Sequence, residues 1–274
     1  MKAREALAWA RAELERAEVD TPQTDSEWLL AHVLGTTRSG VALAPDVDDG
    51  QLLQLRSLVD RRARREPLAY VLGEWGFRGL TLRTDRRALV PRPETEIVVE
   101  RCLALVHDVD RPRVLDVGTG SGAIALAIAA EHLGARVVAL DASADALALA
   151  RENADRARLA DRVDVVRGDV EHGLPAGPFD LVVSNPPYVA AGEVDALEPE
   201  VRDWEPRAAV VDAGQSRRTE RAARDVLRPG GALVLETHWN AARAVADRLA
   251  TLGYTDVTIT RDLAGVERVV EARR

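Results

Sequence analysis

Apolar positions in the N-terminal part of the chain recur at helical spacing. Ala3, Ala6, Leu7, Ala10 and Leu14 mark one segment, and Trp28, Leu29, Ala31 and Val33 a second that Gly35 can close. Leu52, Leu55, Leu58 and Val59 mark a third, ended by Pro67. No alternating strand pattern appears before residue 75, so residues 1–72 read as a small helical domain. Between Trp75 and Thr84 the pattern changes: Gly76 and Gly79 flank Phe77, and Leu80 and Leu82 alternate with polar residues. Residues 73–90 therefore read as a short hairpin or extended linker. In Val90-Pro91-Arg92-Pro93-Glu94-Thr95-Glu96 two prolines fix an extended approach. Pro93 suits the first position of a helix, with Glu94 and Glu96 in its first turn; that helix runs to about Val106.

From Arg113 onward strand and helix patterns alternate. Val114–Val117, Arg136–Leu140, Val163–Val166, Phe179–Val183 and Gly231–Leu235 are short apolar runs, and Thr255–Thr260 and Arg268–Glu271 offer two more strands. Ala123–Leu133, Ala144–Ala157 and a segment ending at Leu252 read as helices. The alternation predicts an α/β unit over residues 91–274, doubly wound on a mostly parallel sheet.

Composition narrows the chemistry. With 46% hydrophobic residues in 274, the chain can bury an ordinary core, and no apolar run reaches the length of a membrane span. Met1–Ala10 carries charges and no signal-like hydrophobic stretch, so a soluble cytoplasmic protein is expected. Cys102 is the only cysteine, and the five histidines are not paired at ligand spacing, so neither a disulfide nor a metal site is expected. A net charge of -8 argues against nucleic acid as the main partner. The one dense basic run, Arg61, Arg62, Arg64 and Arg65, reads first as a solvated helix C-terminus, with contact to RNA or an acidic partner as the sharper alternative.

Three features place nucleoside chemistry at one sheet edge. Asp116-Val117-Gly118-Thr119-Gly120-Ser121-Gly122 follows a strand and opens a helix, where glycines let the backbone approach a ligand at the positive helix end. Asp141 ends the next strand and can accept both ribose hydroxyls of an adenosine moiety, or else cap the following helix. NAD and S-adenosylmethionine share that moiety. Asp169 and Val170, after the third strand, can face an adenine amino group and ring, although a Gly-Asp turn is commonplace.

Asn185-Pro186-Pro187-Tyr188 chooses between them. It follows the fourth strand, and an NAD-linked oxidoreductase has no use for it. An amide or exocyclic amino nitrogen is a poor nucleophile because its lone pair is delocalised. The Asn185 side-chain oxygen can accept one N–H and the Pro186 carbonyl the other, while Pro187 stiffens the turn and Tyr188 can pack on the planar group. Both bonds orient the nitrogen towards a sulfonium methyl, and no strong base is needed.

With these residues in place, the chain resembles the PrmC/HemK protein-(glutamine-N5) methyltransferases over nearly its whole length. The resemblance rests on Pro91–Glu96, Asp116–Gly122, Asn185–Tyr188, Glu205-Pro206-Arg207, Asp262–Gly265 and the stretch from Pro67 to Phe77. It implies a class I methyltransferase fold, Rossmann-like with a mostly parallel seven-stranded sheet, behind a small helical domain that helps to recognise the substrate. It implies S-adenosylmethionine as cofactor, its methionine end on Gly118–Gly122, its ribose on Asp141 and its adenine on Asp169 and Val170. The substrate it implies is the glutamine of the Gly-Gly-Gln tip of class I peptide chain release factors, held by Asn185–Tyr188. The chain departs from the family's pattern at Asp212–Arg217 and near His238 and Ala241, segments that bear on substrate choice more than on fold. An amino-methyltransferase acting on another protein or a nucleic acid, and an inactive release-factor-binding paralogue, are the alternatives the sequence leaves.

Overall fold

The structure, a computed structural model, describes residues 1–274. In chain order the helices are α1 (Ala3–Arg16), α2 (Pro22–Leu34), α3 (Asp49–Ala63), α4 (Leu68–Leu72), α5 (Glu96–Val106), α6 (Ala123–Glu131), α7 (Ala144–Arg156), α8 (Pro199–Trp204), α9 (Arg207–Val210), α10 (Gln215–Val226) and α11 (Ala242–Thr251). The strands are β1 (Glu74–Phe77), β2 (Leu80–Arg83), β3 (Arg113–Val117), β4 (Arg136–Asp141), β5 (Val163–Arg167), β6 (Phe179–Ser184), β7 (Leu227–Glu236), β8 (Thr255–Arg261) and β9 (Glu267–Arg273). The chain divides into two compact units, Met1–Glu74 with Glu198–Trp204, and Trp75–Leu197 with Glu205–Arg274. Glu198–Trp204 thus joins the helical unit from within a stretch that strand–helix alternation assigned to residues 91–274.

The helical unit buries the apolar stripes that its spacing announces, including Ala6, Ala10 and Leu14 of α1, Leu29 and Leu30 of α2 and Leu55 and Val59 of α3. Gly35 closes α2 in the left-handed region at φ 62°, and Asp48 caps α3 by accepting from Gln51 N at 2.8 Å. Helix α3 ends at Ala63, four residues ahead of Pro67, which instead opens α4.

The basic run at the end of α3 is neither a solvated face nor an open contact surface, except at exposed Arg64. Arg62 is 5% exposed; its Nε donates to Asp25 Oδ2 at 2.7 Å and one terminal nitrogen to Glu200 Oε1 at 2.7 Å. Arg65 binds both oxygens of Glu200, at 2.7 and 2.8 Å, and reaches Asp20 at 3.0 Å. Arg61 pairs with Glu66 and donates to the carbonyls of Tyr70 and Val71. Asp20, Asp25 and Glu200, far away in sequence, absorb the charges of Arg62 and Arg65, which a local reading of four arginines cannot see.

In the second unit β1 and β2 form a two-stranded hairpin, and seven strands form one sheet in the order β5-β4-β3-β6-β7-β9-β8. The first five strands run parallel; β9 is antiparallel to β7 and β8. This is the α/β fold with a mostly parallel seven-stranded sheet that was expected. Strands such as Val114–Val117 and Leu181–Ser184 are buried on both faces, hence their continuous apolar character. Alternate residues go to opposite layers: Val114, Leu181 and Val234 pack with α5 and α6, Leu115, Val182 and Leu233 with α10 and α11. Helix α10 escaped the pattern reading because half of Gln215–Val226 is charged; it buries only Thr219, Glu220 and Ala223. Buried Glu220 is paired there with Arg248 of α11 at 2.6 and 2.9 Å.

Candidate functional site

Strand order reverses between β3 and β6, since β3 leads to β4 on one side and β6 to β7 on the other. An open α/β sheet forms its ligand crevice outside the carboxyl ends of the strands at such a point. A cavity of about 360 Å³ lies there, lined by Gly118, Thr119, Gly120, Ser121, Asp141, Asp169, Val170, Asn185, Pro186 and Pro187. That volume is within the range of about 300–1,000 Å³ usual for small-molecule sites. Three residues singled out in the sequence do not line it: Asp116, Gly122 and Tyr188.

The glycine loop is held by its backbone. Gly118 N and Thr119 N both donate to Leu140 O, at 2.8 and 2.9 Å, clamping the end of β3 to the end of β4. Gly118 has φ 76°, and a Cβ there would meet no protein atom within 4 Å. The loop therefore presents bare backbone to open space at the start of α6. Gly122 has another job: a Cβ there would lie 3.2 Å from Leu126 Cδ1 and 3.4 Å from Ala150 Cβ, so it lets α6 and α7 approach. Asn153 of α7 braces the loop further, donating to Ser121 O at 2.9 Å while accepting from Arg83 N at 2.7 Å.

Asp141 joins two loops. Its Oδ2 accepts from Gly120 N and its Oδ1 from Ser143 N, each at 2.9 Å. The cap of α7 is Ser143, whose Oγ accepts from Ala146 N at 3.2 Å, so Asp141 is free of the capping role that its position also suggested. Burial holds the Asp141 carboxyl above its ordinary range despite those two N–H donors, and nearby Asp169 pushes the same way. Asp169 caps a single turn at Val170–His172 through Glu171 N at 2.9 Å. Asp116 is fully buried; Thr119 Oγ1 donates to its Oδ2 at 2.6 Å and its Oδ1 has no partner. Burial raises its pKa to about 7. Asp116 thus shapes the loop from beneath, through Thr119.

Asn185 follows Ser184, whose Oγ donates to Val117 O at 2.7 Å and ties β6 to β3. The Asn185 side-chain nitrogen donates to Thr95 Oγ1 at 3.3 Å, and Thr95 Oγ1 donates to Glu236 Oε2 at 2.7 Å. Thr95 ends the turn Pro93–Thr95 before α5, and Glu236 ends β7; both are buried, at 5% and 3% exposure. Burial raises the Glu236 carboxyl to about 7, against the Thr95 bond and Arg268. Tyr188 tilts against His238, with ring centroids 5.7 Å apart, and burial raises its pKa. Another part of the lining, Arg87–Arg92, is fixed by buried Glu205, which accepts from Val90 N at 3.1 Å and from Arg92 at 2.7 and 2.9 Å.

The motif reading missed Thr95, Glu236 and Glu205 as site residues. Glu236 carried one signal, a carboxylate closing the buried run Ala232–Leu235 at the same sheet edge as the other motifs. Thr95 and Glu205 belong to segments that the resemblance marked, but their partners lie 141 and 113 residues away in sequence.

Residues 5–73 match the family described as PrmC N-terminal domain, and residues 96–199 the Methyltransferase small domain. The Release factor glutamine methyltransferase of Deinococcus radiodurans is 42% identical, with 100% of this chain and 99% of that protein covered. The protein of the same name from Caulobacter vibrioides is 38% identical over 96% of this chain and 94% of its own. Among solved structures, a methyltransferase from Pyrococcus furiosus is 21% identical, with 71% of this chain and 89% of that chain covered at TM-score 0.50, a likeness of fold.

Proposed function

Because this chain belongs to the release factor glutamine methyltransferase family, we propose that it transfers a methyl group from S-adenosylmethionine to the side-chain amide nitrogen (N5) of the glutamine in the Gly-Gly-Gln tip of class I peptide chain release factors. The observation that carries the reading is a single cavity at the β3/β6 reversal that unites the glycine loop, Asp141 and Asn185-Pro186-Pro187. The residues fit the cofactor. Gly118 offers backbone facing open space, which suits the methionine end. Asp141 offers a carboxylate, braced by two backbone bonds, for the ribose. Asp169 and Val170 line the same hollow beyond it, for adenine. When bound, S-adenosylmethionine supplies an electrophilic methyl group on a sulfonium sulfur.

The chain's own residues handle the acceptor. Asn185 Oδ1 accepts one N–H of the substrate amide and the Pro186 carbonyl the other, so the nitrogen is presented in one orientation. Both bonds draw on the N–H protons and leave the nitrogen richer in electrons. As the new C–N bond forms and the methyl–sulfur bond breaks to leave a neutral thioether, the nitrogen would become acidic and would give up one proton to water without a strong base. Positioning of this kind is worth about 7–11 kcal/mol in favourable cases. Tyr188, packed on His238, stands behind the rigid proline turn. Residues 1–72 supply recognition of the intact release factor, and the net charge of -8 is consistent with a protein rather than a nucleic-acid substrate. No helix is long and apolar enough to cross a membrane.

The test is incubation with labelled S-adenosylmethionine and purified release factor, followed by peptide mass mapping. Label on the Gly-Gly-Gln glutamine is expected; label elsewhere, or none, refutes the reading. Asn185→Ala should lower single-turnover transfer about a hundredfold or more with a small effect on cofactor affinity. Asn185→Asp keeps an acceptor oxygen and should retain more activity than Asn185→Ala.

A further inference from the structure

We propose that Thr95 and Glu236 are positioning residues that set which end of the Asn185 amide faces the substrate. The proposal rests on the reading of Asn185 as the acceptor of a substrate N–H. An asparagine side chain is nearly symmetric in shape, and its oxygen and NH₂ ends exchange by a simple flip. Only the oxygen end can accept the substrate N–H; the other end would meet it donor to donor. Something must hold the flip.

The bonding chain does so by counting protons. The Thr95 hydroxyl has one proton, and ionised Glu236, 2.7 Å away, is acceptor only, so that proton goes to Glu236 Oε2. Thr95 Oγ1 then has lone pairs alone to offer Asn185, 3.3 Å away, and only the NH₂ end can bind them. With Nδ2 so engaged, Oδ1 is the end of Asn185 left for a ligand in the cavity. Thr95 and Glu236 are almost wholly buried, so water does not readily replace either partner.

The device depends on the Glu236 charge. If Glu236 takes up a proton, it can donate to Thr95, whose own proton is then free to bind Asn185 Oδ1, and the flip reverses. Burial brings the Glu236 carboxyl up to about 7, so this exchange falls in the working pH range. The groups facing Glu236 are Thr95, Glu94 and Arg92 from the segment ahead of α5, Arg268 from β9, and Tyr188. Arg268 is itself anchored on Asp262 at 3.3 Å. His238 stands against Tyr188 and is controlled for separately.

The experiment is steady-state and single-turnover methylation of release factor by the full chain, with calorimetric S-adenosylmethionine binding and thermal melts on every variant. Thr95→Val keeps the shape and removes the hydroxyl. It should lower kcat about ten- to a hundredfold, while KM for release factor and cofactor affinity stay within about twofold. Thr95→Ser restores the hydroxyl and should recover kcat to within about threefold of the unaltered chain. In the unaltered chain kcat should rise with pH through about 7; Glu236→Gln should abolish that limb, and His238→Asn should leave it in place. Undiminished kcat in Thr95→Val overturns the relay, as does a Thr95→Ser chain as slow as Thr95→Val. A loss traced to cofactor binding or melting overturns it too, because the residues are then merely structural. Absence of transfer by the unaltered chain strikes the functional reading and the relay together, whereas normal transfer by both that chain and Thr95→Val strikes the relay alone.

Discussion

Replacing Asp141 tests the proposed cofactor site at the point where structure and chemistry constrain it most. In the free protein its two oxygens hold Gly120 N and Ser143 N, each at 2.9 Å, and so fix the glycine loop against the start of α7. A hydrogen bond to a charged group contributes about 1.5–3 kcal/mol. The raised carboxyl pKa shows, however, that burial already works against the charge. The two effects largely offset, so Asp141→Ala should cost only about 1–2 kcal/mol of folding stability. Cofactor binding has no such offset. Losing charge-assisted acceptors for both ribose hydroxyls should cost about 2–3 kcal/mol, which is roughly thirty- to a hundred-and-fiftyfold in Kd. Asp141→Asn retains one acceptor oxygen and turns a donor towards a backbone N–H, so about tenfold is expected. Isothermal titration with S-adenosylmethionine ranks the three chains, and a thermal melt of each confirms folding. A Kd for Asp141→Ala within twofold of the unaltered protein refutes the ribose assignment. If Asp141→Ala proves too unstable to titrate, Asp141→Asn carries the same comparison.

Two further outcomes follow from buried charge. Arg62→Met leaves buried Asp25 without its ion-pair partner, while Glu200 keeps Arg65, and should lower the stability of the helical unit by about 3–5 kcal/mol; a shift below about 1 kcal/mol in urea unfolding contradicts the role given to the cluster. Asp116 and Glu236 both have folded pKa values raised to about 7, so the stability they add is present below the unfolded carboxylate range and is lost as pH rises through about 7. Urea midpoints of the cofactor-free protein should therefore fall between pH 5 and pH 8, and a chain carrying Asp116→Asn and Glu236→Gln should show a flatter profile; an unchanged slope refutes the assignment. Asp85, held low by its bond to Arg87, acts in the opposite sense and costs stability as the pH falls below its ordinary range.

The parallel sheet was legible because its strands are buried on both faces. A run such as Val114-Leu115-Asp116-Val117 has few other uses, and glycines at its end mark where the helix begins. Helix α10 was not legible by the same reasoning. It covers the sheet with Ala223 while Glu220, buried, is neutralised by Arg248 from another helix. A pattern of apolar positions registers hydrophobic burial and passes over burial achieved by pairing. The arginine run of α3 failed for the same reason, since Asp25 and Glu200 lie far from it in sequence.

The candidate site divides along the same line. Gly118, Asp141 and Asn185 were legible because each sits at the end of a strand, and the ends of parallel strands share one edge by construction. What lies behind them was not. Glu205 holds Val90 and Arg92, and Thr95 links Asn185 to Glu236. These partners come from segments that meet only after the sheet has formed. The residues that line the cavity are therefore announced locally, whereas the residues that orient them depend on the completed fold. The departures near His238 belong to this second kind. His238 packs on Tyr188 two residues beyond Glu236, so a change there acts on the acceptor turn from behind, and its effect should appear in the handling of the substrate amide before it appears in cofactor affinity.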